Sequence, residues 1–350
     1  SEVKYNIFML DIEEFKKSTG KKSRVDQWRG ELSLEQGEDL SFQCFQPTRG
    51  KKIEGTILFV HGMSFLGNED PRQVEVCEAL ASIGYQVVSP HFPEIADLRI
   101  ELETVDRIAA VVRAIVDHSQ LDVQGKIGIL SASFSAGMCL VASMRDGVGE
   151  HLACICSIGG FSSVKDCLRS VIQGEEVDEY ARLIMLRNFA PPLYDCQPLF
   201  EQCVEELLRD NGLKRSPPQA PEIMGQLSTE ARYLLDALRF DPAARSGFSD
   251  LLFAQFANLL SELDILSHID KISCPVVLIH GAQDDVIPPG ESLRLAKALK
   301  ANGLRHHFVL SKLISHGDRQ PVFGKAREFV LLARGFSSFL SALRTPVTQM

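Results

Sequence analysis

The sequence predicts an α/β fold built on a mostly parallel β-sheet. From residue 55 to residue 158, short apolar runs rich in β-branched residues alternate with helical patterns, which is typical of parallel βαβ units. Three apolar runs lead into residues that suit catalysis: a serine among small residues, an aspartate and a histidine. Because the carboxyl ends of parallel strands meet at one edge of a sheet, we expect the loops that carry these side chains to converge.

The predicted elements follow one another in a regular order. Residues 28–35 and 40–47 are typical of paired antiparallel strands that lead into the sheet. The alternation then comprises strands over 55–60, 85–90, 126–131 and 152–158, separated by helices over 71–83, 100–118 and 134–145. Before all of these, residues 5–18 carry a ragged apolar pattern that predicts a short amphipathic helix.

The strand over 126–131 leads into a sharp turn around a serine. A strand–turn–helix of this kind holds a nucleophile above the edge of a sheet, and it requires small residues two positions to either side. With Ser133 as the nucleophile these flanks are Ser131 and Ser135. Ser135 is the alternative nucleophile, but it would place Met138 where a small residue belongs. A third interpretation is a serine-rich helix start whose hydroxyls only cap backbone N–H groups.

The strand over 55–60 ends in His61, Gly62 and Met63. A loop at this place supplies one backbone N–H of an oxyanion hole, and the residue after the nucleophile supplies the other. The candidate donors are therefore the amides of Met63 and Phe134. We expect His61 to be a structural residue that holds the loop, not a catalytic base.

Two later strands are followed by a candidate acid and a candidate base. Asp284 lies in the loop after the apolar run 275–280, where a carboxylate can orient a histidine. Its neighbour Asp285 is the alternative acid, although it also suits the start of the next helix. His316 follows the strand-like residues 306–310 and stands beside Gly317. The chain order serine, aspartate, histidine is the order of one particular fold.

Together these motifs resemble the α/β-hydrolase superfamily, over about residues 28–160 and 263–343. The resemblance implies an eight-stranded, mostly parallel α/β-hydrolase sheet with helices on both faces. After Phe161 the alternation stops for about a hundred residues, which is where superfamily members commonly carry a helical cap over the active site. We therefore expect an N-terminal extension over 1–27, a core over 28–160 and 264–350, and a helical cap over 161–263, inserted after strand 6.

Composition limits the kinds of partner. Acidic residues outnumber basic ones by 46 to 37 and no basic cluster occurs, which argues against nucleic-acid binding and electrostatic attachment to membranes. No apolar run approaches the length of a membrane span, and residues 1–5 do not begin a secretory signal. Nine cysteines without a Cys-x-x-Cys pair predict reduced thiols in a cytoplasmic protein without a metal centre.

The most specific interpretation is a serine esterase or lipase-like enzyme that cleaves a carboxylic ester through an acyl-enzyme. Ser133 would attack, His316 would take its proton, Asp284 would orient the imidazole, and the amides of Met63 and Phe134 would bind the oxyanion. No cofactor and no metal is required. The expected substrate is a small ester with an apolar acyl or alcohol group. A peptidase or thioesterase with the same triad, and a catalytically silent binding protein, remain alternatives.

Overall fold

The structure, a computed structural model, describes residues 25–35, 37–314 and 326–344. The amphipathic pattern over 5–18 lies outside these residues. Eight strands form one sheet: β1 Val25–Ser33, β2 Asp39–Pro47, β3 Gly55–Val60, β4 Tyr85–Pro90, β5 Ile127–Ala132, β6 Leu152–Ile158, β7 Val276–Gly281 and β8 His306–Ser311. Strand β1 therefore begins at Val25, inside the segment that the sequence assigned to an N-terminal extension.

The spatial order of the strands is β1-β2-β4-β3-β5-β6-β7-β8. The pairs β1–β2 and β2–β4 are antiparallel, and all other neighbours are parallel. The predicted eight-stranded, mostly parallel sheet is thus confirmed, including its antiparallel first strands. Because β5, β6 and β7 are parallel neighbours, the loops after them leave the same edge of the sheet close together.

Helices cover both faces of the sheet, as predicted. The helices between the strands of the core are α1 Pro71–Ser82, α2 Pro93–Ala96, α3 Leu102–Asp117, α4 Phe134–Ser143 and α12 Gly290–Ala301, and α13 Ala326–Arg344 follows the last strand. Apolar side chains of α1 and α13 pack on one face, whereas those of α3, α4 and α12 pack on the other. Each face of the parallel strands is therefore buried, which explains why these strands are apolar without alternation.

The chain between β6 and β7 is helical. It contains α5 Val164–Gln173, α6 Glu179–Tyr194, α7 Pro198–Gly212, α8 Ala220–Met224, α9 Thr229–Phe240, α10 Pro242–Gln255 and α11 Ala257–Glu262. We call residues 161–263 the helical insert. Pro191 and Pro192 lie inside α6, which continues through both to Tyr194. Neither proline has an N–H to donate to the carbonyl four residues earlier, and the helix ends soon after them.

All nine cysteines are free thiols, and all but the partly buried Cys196 are buried. Desolvation raises the pKa of the Cys139 thiol to about 12, so this thiol is protonated and packs as a small apolar group. Across the described ranges 25–35, 37–314 and 326–344, no helix is both long enough and apolar enough to cross a lipid bilayer.

Candidate active site

Ser133 stands at the sharp turn between β5 and α4. Its backbone has φ +58° and ψ −144°, a conformation that costs a residue with a side chain about 1–3 kcal/mol. Two hydrogen bonds hold it there: its N–H donates to the Ile158 carbonyl at 2.7 Å, and its own carbonyl accepts from Ala136 N at 3.0 Å. Such strain, held in place by the surrounding backbone, is typical of functional positions.

The turn is possible because small residues surround it. A Cβ on Gly160 would lie 3.2 Å from Ala136 Cβ and 3.3 Å from Gly137 N, so the loop after β6 packs directly on the start of α4. Ser135, the alternative nucleophile, is completely buried in α4, and its hydroxyl has no hydrogen-bond partner among the described residues. Ser133 borders two cavities. Of the two serines, the structure therefore makes Ser133 the accessible one.

The larger of these cavities extends from Ser133 into the helical insert. It is lined by side chains from α5 and α6, among them Leu168, Val171, Ile184 and Met185. The smaller cavity lies between Ser133 and α1, and its lining includes Phe59 and Val76. Most of these side chains are apolar, so the space beside Ser133 suits an apolar group of a ligand.

His61 is fixed by both ring nitrogens, as expected for a structural residue. Its Nε2 accepts a hydrogen bond from Phe92 N at 3.1 Å, so Nδ1 carries the proton and donates to the Gly62 carbonyl at 3.0 Å. Only 1% of the residue is exposed. Burial is the largest cause that lowers the pKa of His61 to about 4. The ring therefore holds the loop that carries Gly62 and Met63.

Protonation of His61 should destabilise the fold in mild acid. Because the pKa is about 4 when folded and near 6.5 when unfolded, the unfolded chain binds this proton more strongly. The stabilisation is complete above about pH 6.5 and is lost as the pH falls towards 4, on the order of 3 kcal/mol. Urea unfolding at several pH values should show a shallower loss for His61→Gln than for the wild type. The partly exposed His151→Gln serves as a control, and equal slopes for wild type and His61→Gln would contradict this expectation.

Asp284 lies in the loop after β7 with its two oxygens in different surroundings. Oδ1 accepts from the backbone N–H groups of Val286 at 3.0 Å and Ile287 at 2.9 Å. Oδ2 faces the end of β6, where a Cβ on Gly159 would lie 3.4 Å away. The Asp284 side chain is almost completely buried, whereas Asp285 is exposed. One oxygen thus anchors the loop, and the other lies near the end of β6 with the buried His280 Nε2 3.6 Å away.

A buried carboxylate connects the loop after β6 to α12. Glu291 is 1% exposed, and its Oε2 accepts from Ser162 N at 2.8 Å, Ser162 Oγ at 2.6 Å and Ser163 N at 3.0 Å. Arg294 pairs with the other oxygen. These contacts join the start of the helical insert to the helix that follows the Asp284 loop.

The candidate base His316 lies outside the described residues. The described chain after β8 reaches Ile314, whose carbonyl oxygen packs against Gly281 where a side chain would collide with it. Gly281 is the last residue of β7, three positions before Asp284. All other histidines of the chain lie within the described ranges, and none of these borders either cavity at Ser133.

Comparisons with known proteins agree with this architecture. An acylaminoacyl peptidase from Pyrococcus horikoshii superposes with a TM-score of 0.53 at 15% identity, covering 98% of this chain and 45% of that one. A Pyrococcus furiosus esterase superposes with a TM-score of 0.51 at 14% identity, covering 94% of each chain. For brefeldin A esterase, described as a bacterial homologue of human hormone-sensitive lipase, the score is 0.52 at 14% identity, covering 92% and 77%.

The chain has the α/β-hydrolase fold. Residues 255–333 match the sequence profile of the prolyl oligopeptidase family, Peptidase_S9. No curated protein matches the sequence. The chain spans less than half the length of the acylaminoacyl peptidase that it resembles.

The structure also shows an ion pair beside Ser133 that the sequence did not reveal. The Arg72 guanidinium binds Asp70 through two nitrogens, with Nε donating to Oδ1 at 2.9 Å, and both residues border both cavities. Burial alone would raise the pKa of Asp70, but the contacts with Arg72 outweigh it and lower the pKa. The sequence signal is an aspartate before Pro71, which predicts a helix cap and not a position facing a cavity.

Proposed function

We propose that the protein is a serine hydrolase that cleaves a carboxylic ester through an acyl-enzyme, with Ser133 as nucleophile. The observation that carries this proposal is the strained backbone of Ser133, with φ +58°, at the carboxyl end of a central parallel strand and beside two cavities. A serine held in this way exposes its hydroxyl to a substrate while its backbone stays fixed. The similar esterases, and the shared fold, support the same chemistry.

We assign the proton transfers to His316 and the orientation of the His316 imidazole to Asp284. The support is positional: the described chain reaches Ile314 beside Gly281, the last residue of β7 and three positions before Asp284, and His316 follows Ile314 by two positions in the sequence. Strands β5 and β7 are separated only by β6, so their ends lie roughly 10 Å apart. An imidazole between the two loops would bridge a serine and a carboxylate over that distance. His316 then takes the proton from Ser133 and returns it to the leaving group.

We assign the oxyanion hole to the backbone amides of Met63 and Phe134. Phe134 is the first residue of α4, and N–H groups in the first turn of a helix have no intrahelical acceptor. Met63 borders both cavities together with Ser133. Two N–H groups that converge beside the nucleophile would stabilise the negative oxygen of a tetrahedral intermediate.

We propose that the helical insert is a cap that forms the substrate pocket, inserted in a core of residues 28–160 and 264–350. The apolar side chains of α5 and α6 that line the larger cavity support this role. They favour an ester with an apolar acyl or alcohol group, because such a group is removed from water there. The free cysteines are also consistent with the cytoplasmic location that we propose.

Changing a wall residue of the cap should alter the preference for acyl-chain length. Ile184 lines the larger cavity. The Ile184→Trp variant should prefer shorter p-nitrophenyl esters, and the Ile184→Ala variant should prefer longer ones. We expect the kcat/KM ratio of the octanoate to the butyrate to move about tenfold in opposite directions, the usual effect of a methylene or two in a pocket. Leu251→Ala, an exposed position in the same insert, is the control. Unchanged ratios in both Ile184 variants would contradict the cap assignment.

A peptidase with the same triad is the second candidate. It is favoured by the match of residues 255–333 to the prolyl oligopeptidase family and by the fold shared with acylaminoacyl peptidases. A thioesterase and a catalytically silent binding protein are the remaining alternatives. Parallel assays with p-nitrophenyl esters, acyl thioesters and acyl-amino-acid anilides would distinguish the three reactions.

The decisive experiment is covalent labelling of the full chain with a fluorophosphonate, followed by mass spectrometry of the modified peptide. We expect one label per chain, on Ser133, which identifies an activated serine and its position together. Absence of labelling in protein that is folded by circular dichroism would favour the catalytically silent alternative. A label on Ser135 would contradict the assignment of the nucleophile.

A further inference from the structure

Two arginines lie buried in the helical insert, away from the catalytic residues. Arg182 on α6 is 7% exposed and Arg245 on α10 is 4% exposed. Long cationic side chains are almost never so deeply buried unless they are paired with an anion. Arginine also remains protonated in proteins, so both side chains bring a full positive charge into the insert.

Both guanidinium groups meet at one backbone carbonyl. Arg182 Nη2 donates to Gly174 O at 2.6 Å, and Arg245 Nη1 donates to the same oxygen at 3.4 Å. Arg182 Nη1 also donates to Arg239 O at 3.3 Å. The Nε atom of each guanidinium is buried and has no acceptor among the described residues. Two like charges therefore share one acceptor, and each has an unused donor.

The protein groups around this arginine pair do not balance its charge. Among the described residues, no carboxylate forms an ion pair with either arginine, and the nearby Glu179 is already paired with Arg239. Gly174 caps the C-terminal end of α5, and Arg239 lies in the last turn of α9. Each helix C-terminus supplies roughly half a negative charge. Two such ends offset about one of the two positive charges.

The direction of the pKa shift of Arg182 agrees with this incomplete compensation of the positive charges. Burial, and then the charge of Arg245, lower the pKa of the Arg182 guanidinium, while Glu179 acts in the opposite direction. An uncompensated buried charge of this kind is destabilising. A bound anion would remove that cost.

We propose that Arg182 and Arg245 bind a small inorganic oxyanion of the phosphate class. Guanidinium groups match the oxygens of phosphate through parallel N–H donors, and the unused Nε atoms of the two side chains provide such donors. Gly174 and Gln173 are partly exposed, which gives a small ion a route to the pair. The burial of both arginines argues against a phosphoryl group carried by a larger molecule.

The site would connect the helices that line the larger cavity. Arg182 stands next to Ala181, which lines that cavity on α6, and Gly174 directly follows α5, which carries Leu168 and Val171. An oxyanion between Arg182 and Arg245 therefore links α6 to α10 at the point where α5 ends. Its effect on stability does not depend on whether the protein is a hydrolase.

Thermal unfolding of the full chain in millimolar sodium phosphate, against sodium chloride at equal ionic strength, tests the proposal. At a phosphate concentration about 100 times Kd, we expect the wild-type Tm to rise by about 5 °C more than in chloride. Arg245→Met should lose this rise. Without phosphate it should be at least as stable as the wild type, because one of two like charges is gone. Arg232→Met, on the exposed side of α9, is the matched control and should keep the rise.

Several outcomes would overturn the proposal. One is a phosphate response that is equal in the wild type and Arg245→Met, and another is the absence of a response in the wild type. A third is that Arg245→Met is less stable than the wild type by the same amount with and without phosphate. If Arg245→Met fails to fold, calorimetric titration of the wild type with phosphate decides, since the absence of saturable binding also overturns the proposal. Phenyl phosphate should not raise the Tm of the wild type. If this ester raised the Tm as much as inorganic phosphate does, a site restricted to the inorganic ion would be excluded.

Discussion

Replacing Ser133 by alanine should lower kcat on a p-nitrophenyl ester by about 10⁶, the scale seen when a triad serine is removed. The loss is this large because no other group forms the acyl-enzyme. The backbone conformation of residue 133, with φ +58°, disfavours serine and alanine alike. We therefore expect the Tm of Ser133→Ala to stay close to that of the wild type, so that a loss of activity reports on chemistry and not on folding.

Ser135→Ala is the matched control. Its hydroxyl is buried and has no partner in the part of the chain that the structure describes, and removing an unsatisfied hydroxyl leaves nothing unpaired behind. Turnover should remain near the wild-type value and stability should not fall. If Ser135→Ala were inactive while Ser133→Ala kept its activity, the nucleophile would lie two residues later than we propose.

Asp284→Asn should lower turnover by about 10⁴, the second largest effect. The structure indicates how: Oδ1 accepts from Val286 N and Ile287 N, so an asparagine would keep its oxygen there. Its NH₂ group would then replace Oδ2. An imidazole facing that group could no longer donate a proton to it and would adopt the wrong tautomer. Because the loop contacts persist, the Tm should change little.

Asp285→Asn tests whether the effect is specific to one carboxylate. Asp285 is exposed, and surface substitutions usually change stability by no more than about 0.5 kcal/mol. We expect kcat to change less than threefold, a small effect beside that of Asp284→Asn. Small and equal losses in both variants would show that the acid lies elsewhere in the chain.

Much of the fold could be predicted because local patterns and tertiary structure agree. The apolar strands, the small residues around Ser133 and the aspartate after β7 each satisfy a local requirement that is visible in the sequence. His316 lies outside the described residues, so its role remains a prediction.

The charged contacts could not be predicted because they depend on how distant elements approach. The signal around Asp70 is that of a helix cap, and only the fold places its ion pair with Arg72 beside Ser133. Likewise, Arg182 and Arg245 look like ordinary residues of amphipathic helices. Their meeting at Gly174 depends on the packing of α5, α6 and α10, for which single-helix periodicity carries no information.

The contacts of Glu291 determine which part of the helical insert can be exchanged for another segment. Grafting a different insert onto this core would remove Ser162 and Ser163, whose three hydrogen bonds satisfy one oxygen of a buried carboxylate. Two of these donors are backbone N–H groups and one is the Ser162 hydroxyl, so a new insert that lacks the hydroxyl or follows another backbone path would leave the buried oxygen short of donors, at a cost of several kcal/mol. A chimera joined after residue 163 keeps the hydrogen bonds from Ser162 and Ser163 to Glu291, whereas one joined directly after β6 must also replace Glu291. The segment that recombination can exchange as a unit therefore begins after residue 163, inside the helical insert.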